Sequence, residues 1–324
     1  MKYSWFLLCI ACGGQISSKS VDSNTEEPAD ETSSEPGSSS TEPSTEPSTE
    51  PSSPTSEPSG EPVEEIDYAV EGTYTVTSDT GSASISSCSF GMEYSVFTPT
   101  GVNNPPVMIL GHGFARAGSN MYGLAEHYAS WGVEVLVPNL CHSSFLDANH
   151  EQNGLDMVEL AQQYGAINVI YAGQSAGGLA ALVAASQDSN TLGVIGLDAT
   201  DTEDTIGLTY ATSVQVPTYA LLGEPSMCNS DNNGLSMFEL VNNINIIRVT
   251  SSDHCDYENP TDWMCTTFCL NQSTSFDDVE IAPAIMFLST AAILKIVGTN
   301  TSPNAWEAEA INDWTSMGLL NRIR

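Results

Sequence analysis

Basic side chains are scarce in this chain of 324 residues. It has 7 lysines and arginines against 41 aspartates and glutamates, which gives a formal net charge of −34 at pH 7. Ten of the acids lie in residues 1–60, so 31 remain beyond them, against five bases. A surface this negative repels phosphate backbones and anionic lipids. The scarcity argues against nucleic acid as a partner, and it suits a saline environment in which salt screens the repulsion.

Apolar side chains are nearly absent from residues 13–62, which are mostly Ser, Thr, Glu and Pro. A Thr-Glu-Pro-Ser repeat runs through this segment from Thr41. Such a composition cannot bury a core, so we predict a disordered stalk. At about 3.1 Å per residue, a proline-rich stretch of this length reaches on the order of 100 Å. Residues 63–324 remain as one folded domain of ordinary size.

The apolar run near the N-terminus is too short to span a bilayer. Residues 5–11 follow the positive Met1-Lys2 start, and we interpret residues 1–12 as a signal peptide. Its end, Ile10-Ala11-Cys12-Gly13, resembles the lipobox of bacterial lipoproteins, in which the cysteine is lipidated and becomes the mature N-terminus. The match predicts an exported, cell-surface or outer-membrane lipoprotein anchored to a membrane through Cys12. An ordinary cleaved signal of a secreted protein is the alternative.

Cysteines are few, and six follow Cys12. Their even number in an exported chain favours disulfides, although six cysteines allow 15 pairings. Cys265 and Cys269 have a helical spacing that suits a metal pair, but neither a histidine nor a further cysteine joins them at ligand spacing. We therefore predict neither a metal nor a cofactor. The six are Cys88, Cys141, Cys228, Cys255, Cys265 and Cys269.

Short apolar runs alternate with helical patterns from about residue 69 onward. Strands are predicted at residues 73–77, 93–98, 107–110, 133–137, 167–171, 192–197, 218–222 and 244–250. Helices are predicted from an N-cap at Ser119 to a stop at Gly132, and at residues 155–164, 176–185, 235–241 and 283–297. This alternation predicts an α/β fold with a mostly parallel sheet and helices on both faces. Ligands of such sheets gather at the carboxyl ends of the strands.

The segment Gly173-Gln174-Ser175-Ala176-Gly177 matches the pattern G-x-S-x-G. It stands between an apolar strand and a helix rich in small residues, which is the setting of a nucleophile held in a strained turn. The flanking glycines allow neighbouring backbone to approach closely. We predict that Ser175 is a nucleophile, with an idle serine in a glycine turn as the alternative.

A serine nucleophile needs a base, and His254 is the one histidine after Ser175 in the sequence. This agrees with the chain order of serine, acid and histidine in α/β-hydrolases. Of the earlier histidines, His142 and His150 flank a polar loop containing Asp147, where a zinc site is a weak alternative. The acid that orients His254 is predicted to be Asp198, at the end of the strand after the nucleophile helix.

Other acids stay open as partners of His254. Glu224 follows the next strand and is the main alternative, with Asp201 and Asp204 behind it. A strand-end acid with a purely structural role is a further possibility.

An acyl-transfer site also needs two backbone N–H groups for the oxyanion. Ala176, directly after the serine, supplies one, and Phe114 in Gly111-His112-Gly113-Phe114 supplies the other. We expect His112 to support this loop rather than to act as a base.

The block from Gly111 to Pro138 is similar to that of platelet-activating-factor acetylhydrolases, chlorophyllases and bacterial polyester hydrolases, all α/β-hydrolases. The resemblance covers about residues 94–297. The first two groups place their acid where Asp198 stands, which favours it over Glu224, and Asp253-His254-Cys255-Asp256 resembles the histidine loop. In the polyester hydrolases the acid is an Asp after the later strand, where this chain has Ser226, so the chain departs from that group at this position.

Together these features predict an exported serine hydrolase of carboxylic esters with an open site and no large cap domain. Its substrate would be a small-molecule or surface-bound ester. An amidase or peptidase with the same residues, and a surface binding protein on a silent hydrolase fold, are the alternatives.

Overall fold

The computed structural model describes residues 66–269, 275–298, 306 and 309–324, which belong to one compact unit. The predicted signal peptide, Cys12 and the predicted stalk lie outside the described residues. All the predicted site residues beyond Cys12 lie inside them.

A nine-stranded sheet forms the centre of the fold, in the order β1-β2-β4-β3-β7-β8-β9-β10-β11. A separate two-stranded hairpin, β5–β6, stands apart from it. The strands are β1 Val76–Ala83, β2 Met92–Pro99, β3 Val107–Gly111, β4 Glu134–Pro138, β5 Ser143–Ser144, β6 Asp147–Ala148, β7 Val169–Gln174, β8 Thr191–Leu197, β9 Thr218–Leu222, β10 Ile244–Val249 and β11 Leu320–Arg322.

The six inner strands, from β4 to β10 in the sheet order, run parallel to one another, and the outer strands pair antiparallel. Every residue of β3, β7 and β9 is buried, as expected for strands covered on both faces. The predicted α/β class with a mostly parallel sheet is confirmed. The parallel direction also brings the ends of β7, β8 and β10 to one edge.

Helices cover both faces of the sheet and form two apolar cores. Met108 and Leu110 of β3 point into one core, which contains α1 and α7, whereas Val107 and Ile109 point into the other, with α2 and α3. This alternation follows from the two-residue period of a strand. The helices are α1 Tyr122–Ser130, α2 His150–Tyr164, α3 Ala176–Gln187, α4 Ile206–Ala211, α5 Gly234–Glu239, α6 Trp263–Phe268, α7 Asp278–Val297 and α8 Glu309–Met317.

Two apolar helices hold the sheet from opposite sides. The first ten residues of α3 are all buried, and its many small side chains allow it to lie close to β7 and β8. Helix α7 is long and apolar enough to cross a membrane by length and composition, but 61% of its most apolar window is buried within the protein. Such burial is typical of a core helix in a globular domain.

Several element boundaries differ from the predictions. Strand β1 begins at Val76 and extends to Ala83, so the predicted 73–77 segment overlaps only its start. Ser119 is not an N-cap, because it lies inside a 3₁₀ turn, Gly118–Met121, that precedes α1. Helix α2 begins at His150 because the Asn149 side chain accepts a hydrogen bond from Gln152 N. Helix α7 begins at Asp278 rather than at Pro283.

Three disulfides join the six cysteines of the domain. Cys88 pairs with Cys141, Cys228 with Cys269, and Cys255 with Cys265. Cys265 and Cys269, whose spacing would suit a metal pair, are each bonded to a different cysteine. The connection from β8 to β9 contains only the short helix α4, so no large cap domain is inserted there.

Candidate active site

Ser175 stands in a sharp turn between β7 and α3 at the carboxyl edge of the sheet. Its φ of 55° and ψ of −127° are unfavourable for a residue with a side chain, at a cost of about 1–3 kcal/mol. The turn is held by hydrogen bonds from Ser175 N to Leu197 O (3.0 Å) and from Gly178 N to Ser175 O (2.9 Å). Such a turn lifts the serine side chain above the sheet edge.

The two glycines of the motif allow this turn to form. A Cβ on Gly173 would overlap the carbonyl of Gly177, and a Cβ on Gly177 would lie 2.5 Å from Gly111 O. Strand β7, helix α3 and the end of β3 therefore meet backbone to backbone. A side chain at either glycine would separate the serine from the loop after β3.

Asp198 and His254 are paired at the same edge of the sheet. Asp198 follows β8 and is fully buried, and its Oδ2 lies 2.6 Å from His254 Nδ1. Gly223 N donates to Oδ1 of Asp198 at 2.8 Å, and Asn229 Nδ2 donates to Oδ2 at 3.1 Å. With these donors on the carboxylate, its Oδ2 also accepts a hydrogen bond from the Nδ1–H of His254. Nε2 is then the ring nitrogen that can take a proton from a nucleophile.

The other candidate acids bind backbone groups elsewhere. Glu224 Oε1 accepts a hydrogen bond from Ser251 N at 3.1 Å, and Asp201 Oδ1 accepts one from Gly207 N at 2.8 Å. Asp204 is exposed. Of the acids weighed from the sequence, the described contacts place only Asp198 at the His254 ring.

Gln174 is a member of this cluster that the sequence reasoning missed. Its side chain is 1% exposed, and its amide nitrogen lies 3.1 Å from His254 Nε2 and 3.3 Å from His254 O. No donor among the described residues reaches the buried Oε1 of the same amide. Gln174 is the last residue of β7, directly before the serine, so the polar side chain at that strand end was the signal to follow.

The loop after β3 lies against Ser175. A Cβ on Gly113 would lie 3.0 Å from Ser175 Cβ, so this backbone passes directly beside the serine. Ala176 is the first residue of α3, where the backbone N–H has no partner within the helix. Among the described residues, neither Ala176 N nor Phe114 N donates a hydrogen bond. The two groups predicted to bind an oxyanion are thus free to donate.

His112 holds this loop in place through two hydrogen bonds. Leu140 N donates to its Nε2 at 3.0 Å, and its Nδ1 donates to Gly113 O at 2.8 Å, which fixes the neutral ring. Burial lowers the pKa of His112 from 6.5 to about 4. The ring therefore stays neutral near pH 7 and has no free nitrogen for proton transfer.

A buried ion pair connects the β3 loop to the histidine loop. Arg116 Nε donates to Glu258 Oε1 at 2.6 Å, and Arg116 Nη1 donates to Asp262 Oδ1 at 3.0 Å. Burial raises the pKa of Glu258, although hydrogen bonds and charge from Arg116 act in the opposite direction. Two disulfides fasten the same region, since Cys255 follows His254 and Cys228 precedes Asn229. Several covalent and ionic links thus fix the loops around Ser175.

The polar loop between His142 and His150 forms a separate cluster. His142 Nδ1 lies 2.9 Å from Asp147 Oδ2, and its Nε2 lies 3.7 Å from Asp156 Oδ2. The two acids face opposite sides of the imidazole ring, which is not an arrangement that chelates one ion. His150 is oriented toward Phe114 instead, with ring centroids 5.7 Å apart.

Exposed apolar side chains lie near the loop after β3. Phe145 packs against Phe114 with ring centroids 5.0 Å apart, and Leu146 beside it is fully exposed. Trp263, next to the Asp262 partner of Arg116, is 71% exposed. Two cavities of about 370 and 470 Å³ lie elsewhere, beside Trp131 and beside Tyr122, and neither is lined by the Ser175 cluster.

Comparison of the chain with protein-family models gives no match, and comparison with curated proteins gives none either. A function for this chain is therefore inferred from the arrangement of Ser175, Asp198 and His254.

Proposed function

We propose that this protein is an exported serine hydrolase of carboxylic esters with an α/β-hydrolase fold. The observation that carries the proposal is the 2.6 Å contact between Asp198 and His254 beside the strained turn of Ser175. The three residues follow in the chain order serine, acid, histidine, each after its own parallel strand. The disulfides and the lipobox-like segment at Cys12 support export.

In the proposed mechanism, the Ser175 hydroxyl attacks the ester carbonyl while His254 Nε2 takes its proton. Asp198 orients the ring and stabilises the imidazolium that forms. The N–H groups of Phe114 and Ala176 bind the oxyanion of the tetrahedral intermediate. His254 then protonates the leaving alkoxide, and an acyl group remains on Ser175.

Water completes the reaction by the same path. His254 removes a proton from the water molecule, and the resulting hydroxide attacks the acyl-Ser175 ester. Collapse of the second tetrahedral intermediate releases the carboxylic acid and returns the proton to Ser175. The resting contact of His254 Nε2 with Gln174 has to give way to Ser175, and such rearrangement on substrate binding is common in hydrolases.

The test is hydrolysis of p-nitrophenyl acetate and butyrate by the full chain, with the matching p-nitroanilides alongside. Ser175→Ala is expected to lower kcat for the esters at least about 10³-fold. Ser213→Ala, an exposed serine outside the cluster, serves as the control and should behave like the wild type. Equal activity of Ser175→Ala and wild type would refute the proposal, and faster anilide than ester hydrolysis would assign an amidase instead.

A further inference from the structure

We infer that Gln174 is a positioning residue that masks the base His254 in the resting enzyme and releases it when substrate binds. The inference rests on the proposed function and concerns the same site. The Gln174 amide donates to the Nε2 of His254, the atom that has to accept the Ser175 proton. Because Asp198 already fixes the ring through Nδ1, the Gln174 contact is not needed to hold the histidine.

The other end of the amide shows why substrate would displace it. Gln174 Oε1 is buried with no donor among the described residues, and it lies so close to Gly113 that a Cβ there would overlap it. Gly113 directly precedes Phe114, so a substrate carbonyl bound to the N–H groups of Phe114 and Ala176 would bring its oxygen toward this amide oxygen. Two oxygens that each carry partial negative charge repel each other when they come close. The amide therefore moves away as the carbonyl enters, and His254 Nε2 becomes available to Ser175.

The masking contact has a distinct kinetic signature. It acts on the free enzyme and is already broken in the substrate complex, so its removal should lower KM and leave kcat unchanged. A net hydrogen bond of about 1 kcal/mol corresponds to about a fivefold change. The amide also stabilises the unprotonated ring, so its loss should move the acid-side midpoint of the kcat/KM profile upward by about 0.7 pH units. The kcat profile, which reports the substrate complex, should not move.

Gln174→Leu is the test variant, because leucine keeps the approximate volume and removes both polar ends. On the alkaline plateau it should raise kcat/KM for p-nitrophenyl butyrate about fivefold through KM. Gln174→Glu keeps the shape but pairs with the protonated ring, so its kcat/KM midpoint should move further upward. Charged neighbours of His254, namely Asp198 and Glu258, are the same in both variants. Gln215→Leu, at an exposed glutamine, is the matched control.

A lower kcat in Gln174→Leu with an unchanged KM would overturn the inference and assign Gln174 a purely structural role. If that variant folds poorly, Gln174→Met carries the same expectation with a more flexible side chain. The outcome is separate from that of Ser175→Ala: loss of activity in Ser175→Ala together with wild-type kinetics in Gln174→Leu would refute the masking alone. Activity that survives in Ser175→Ala would refute the proposed function itself.

Discussion

Asp198 and Glu224 are two carboxylates at neighbouring strand ends that differ in what they contact. Asp198 is buried against the His254 ring, whereas Glu224 accepts a hydrogen bond from the backbone of Ser251. Burial next to a histidine means that Asp198 controls which ring nitrogen carries the proton. After a Glu224→Gln change the hydrogen bond from Ser251 N can remain, because the side-chain carbonyl oxygen of glutamine also accepts.

We predict that Asp198→Asn lowers kcat for p-nitrophenyl butyrate by about 10³–10⁴-fold, since an amide stabilises neither the correct tautomer nor the imidazolium. Glu224→Gln removes a charge in the same way and should retain wild-type kcat to within about twofold. Steady-state kinetics of the two variants provide the comparison. A larger loss in Glu224→Gln than in Asp198→Asn would show that Glu224 is the acid.

His112 should make stability depend on pH. Its pKa falls from 6.5 to about 4 on burial, so between these values the unfolded chain binds a proton that the folded protein does not. This contribution to stability is complete above pH 6.5 and is lost as the pH falls toward 4. A shift of this size corresponds to about 3 kcal/mol.

His112→Gln should therefore weaken the acid-side loss of stability, as measured by urea unfolding at pH 4 and pH 6.5. The comparison is between the changes in unfolding free energy from pH 4 to pH 6.5 in the variant and in the wild type. It is needed because burial raises the pKa of Asp256 to about 7, and this makes stability fall as the pH rises across the same range. An identical pH dependence of the unfolding free energy in the two proteins would show that His112 is not buried as a neutral ring.

The strands and helices show which parts of this molecule can be predicted from sequence. The buried strands β3, β8, β9 and β10 were predicted to within about one residue at each end, because continuous apolar runs need cover on both faces. Strand β7 was predicted at residues 167–171 but runs from Val169 to Gln174, because the polar Gln174 hides its buried end. Helix α7 begins five residues before the predicted Pro283 because Asp277 and Glu280 form a capping box. That signal is local and could have been read.

Other features depend on tertiary packing. Ser175, Asp198 and His254 were chosen as candidates from the motif, the chain order and the family resemblance. Gln174 could have been noted as the polar end of β7, but its contact with His254 depends on how that strand end meets the histidine loop. The pairing of six cysteines likewise depends on the packing of distant segments, from Cys88 to Cys269. Local composition carries no information of this kind.

Removing two of the disulfides in turn should affect stability and activity to different extents. Cys88–Cys141 closes 53 residues and Cys255–Cys265 closes 10, so loop entropy predicts losses of about 4 and about 3 kcal/mol on removal. Only the second adjoins His254. The Cys255→Ser/Cys265→Ser pair should therefore lose more activity, and the Cys88→Ser/Cys141→Ser pair more unfolding free energy. The reverse ranking in denaturation and ester assays would contradict this account of the histidine loop.

The charge of the whole chain sets its dependence on salt. A net charge of −34 destabilises the compact state by self-repulsion, and the Debye length falls from about 10 Å at 0.1 M salt to about 3 Å at 1 M. We predict that the thermal unfolding midpoint rises with NaCl between 0.05 and 1 M, in the range of roughly a few degrees. Equal osmolality of an uncharged solute serves as the control. A maximum of stability in salt-free buffer would refute the prediction.

If Ser175 is an activated nucleophile, it should react covalently with a fluorophosphonate. The full chain is incubated with a fluorophosphonate probe, and the modified peptide is identified by mass spectrometry. We predict one adduct per chain, on Ser175, formed much more slowly in His254→Ala because the hydroxyl then lacks its base. Absence of an adduct on Ser175 in the folded wild type, or an adduct on a different serine, would contradict it.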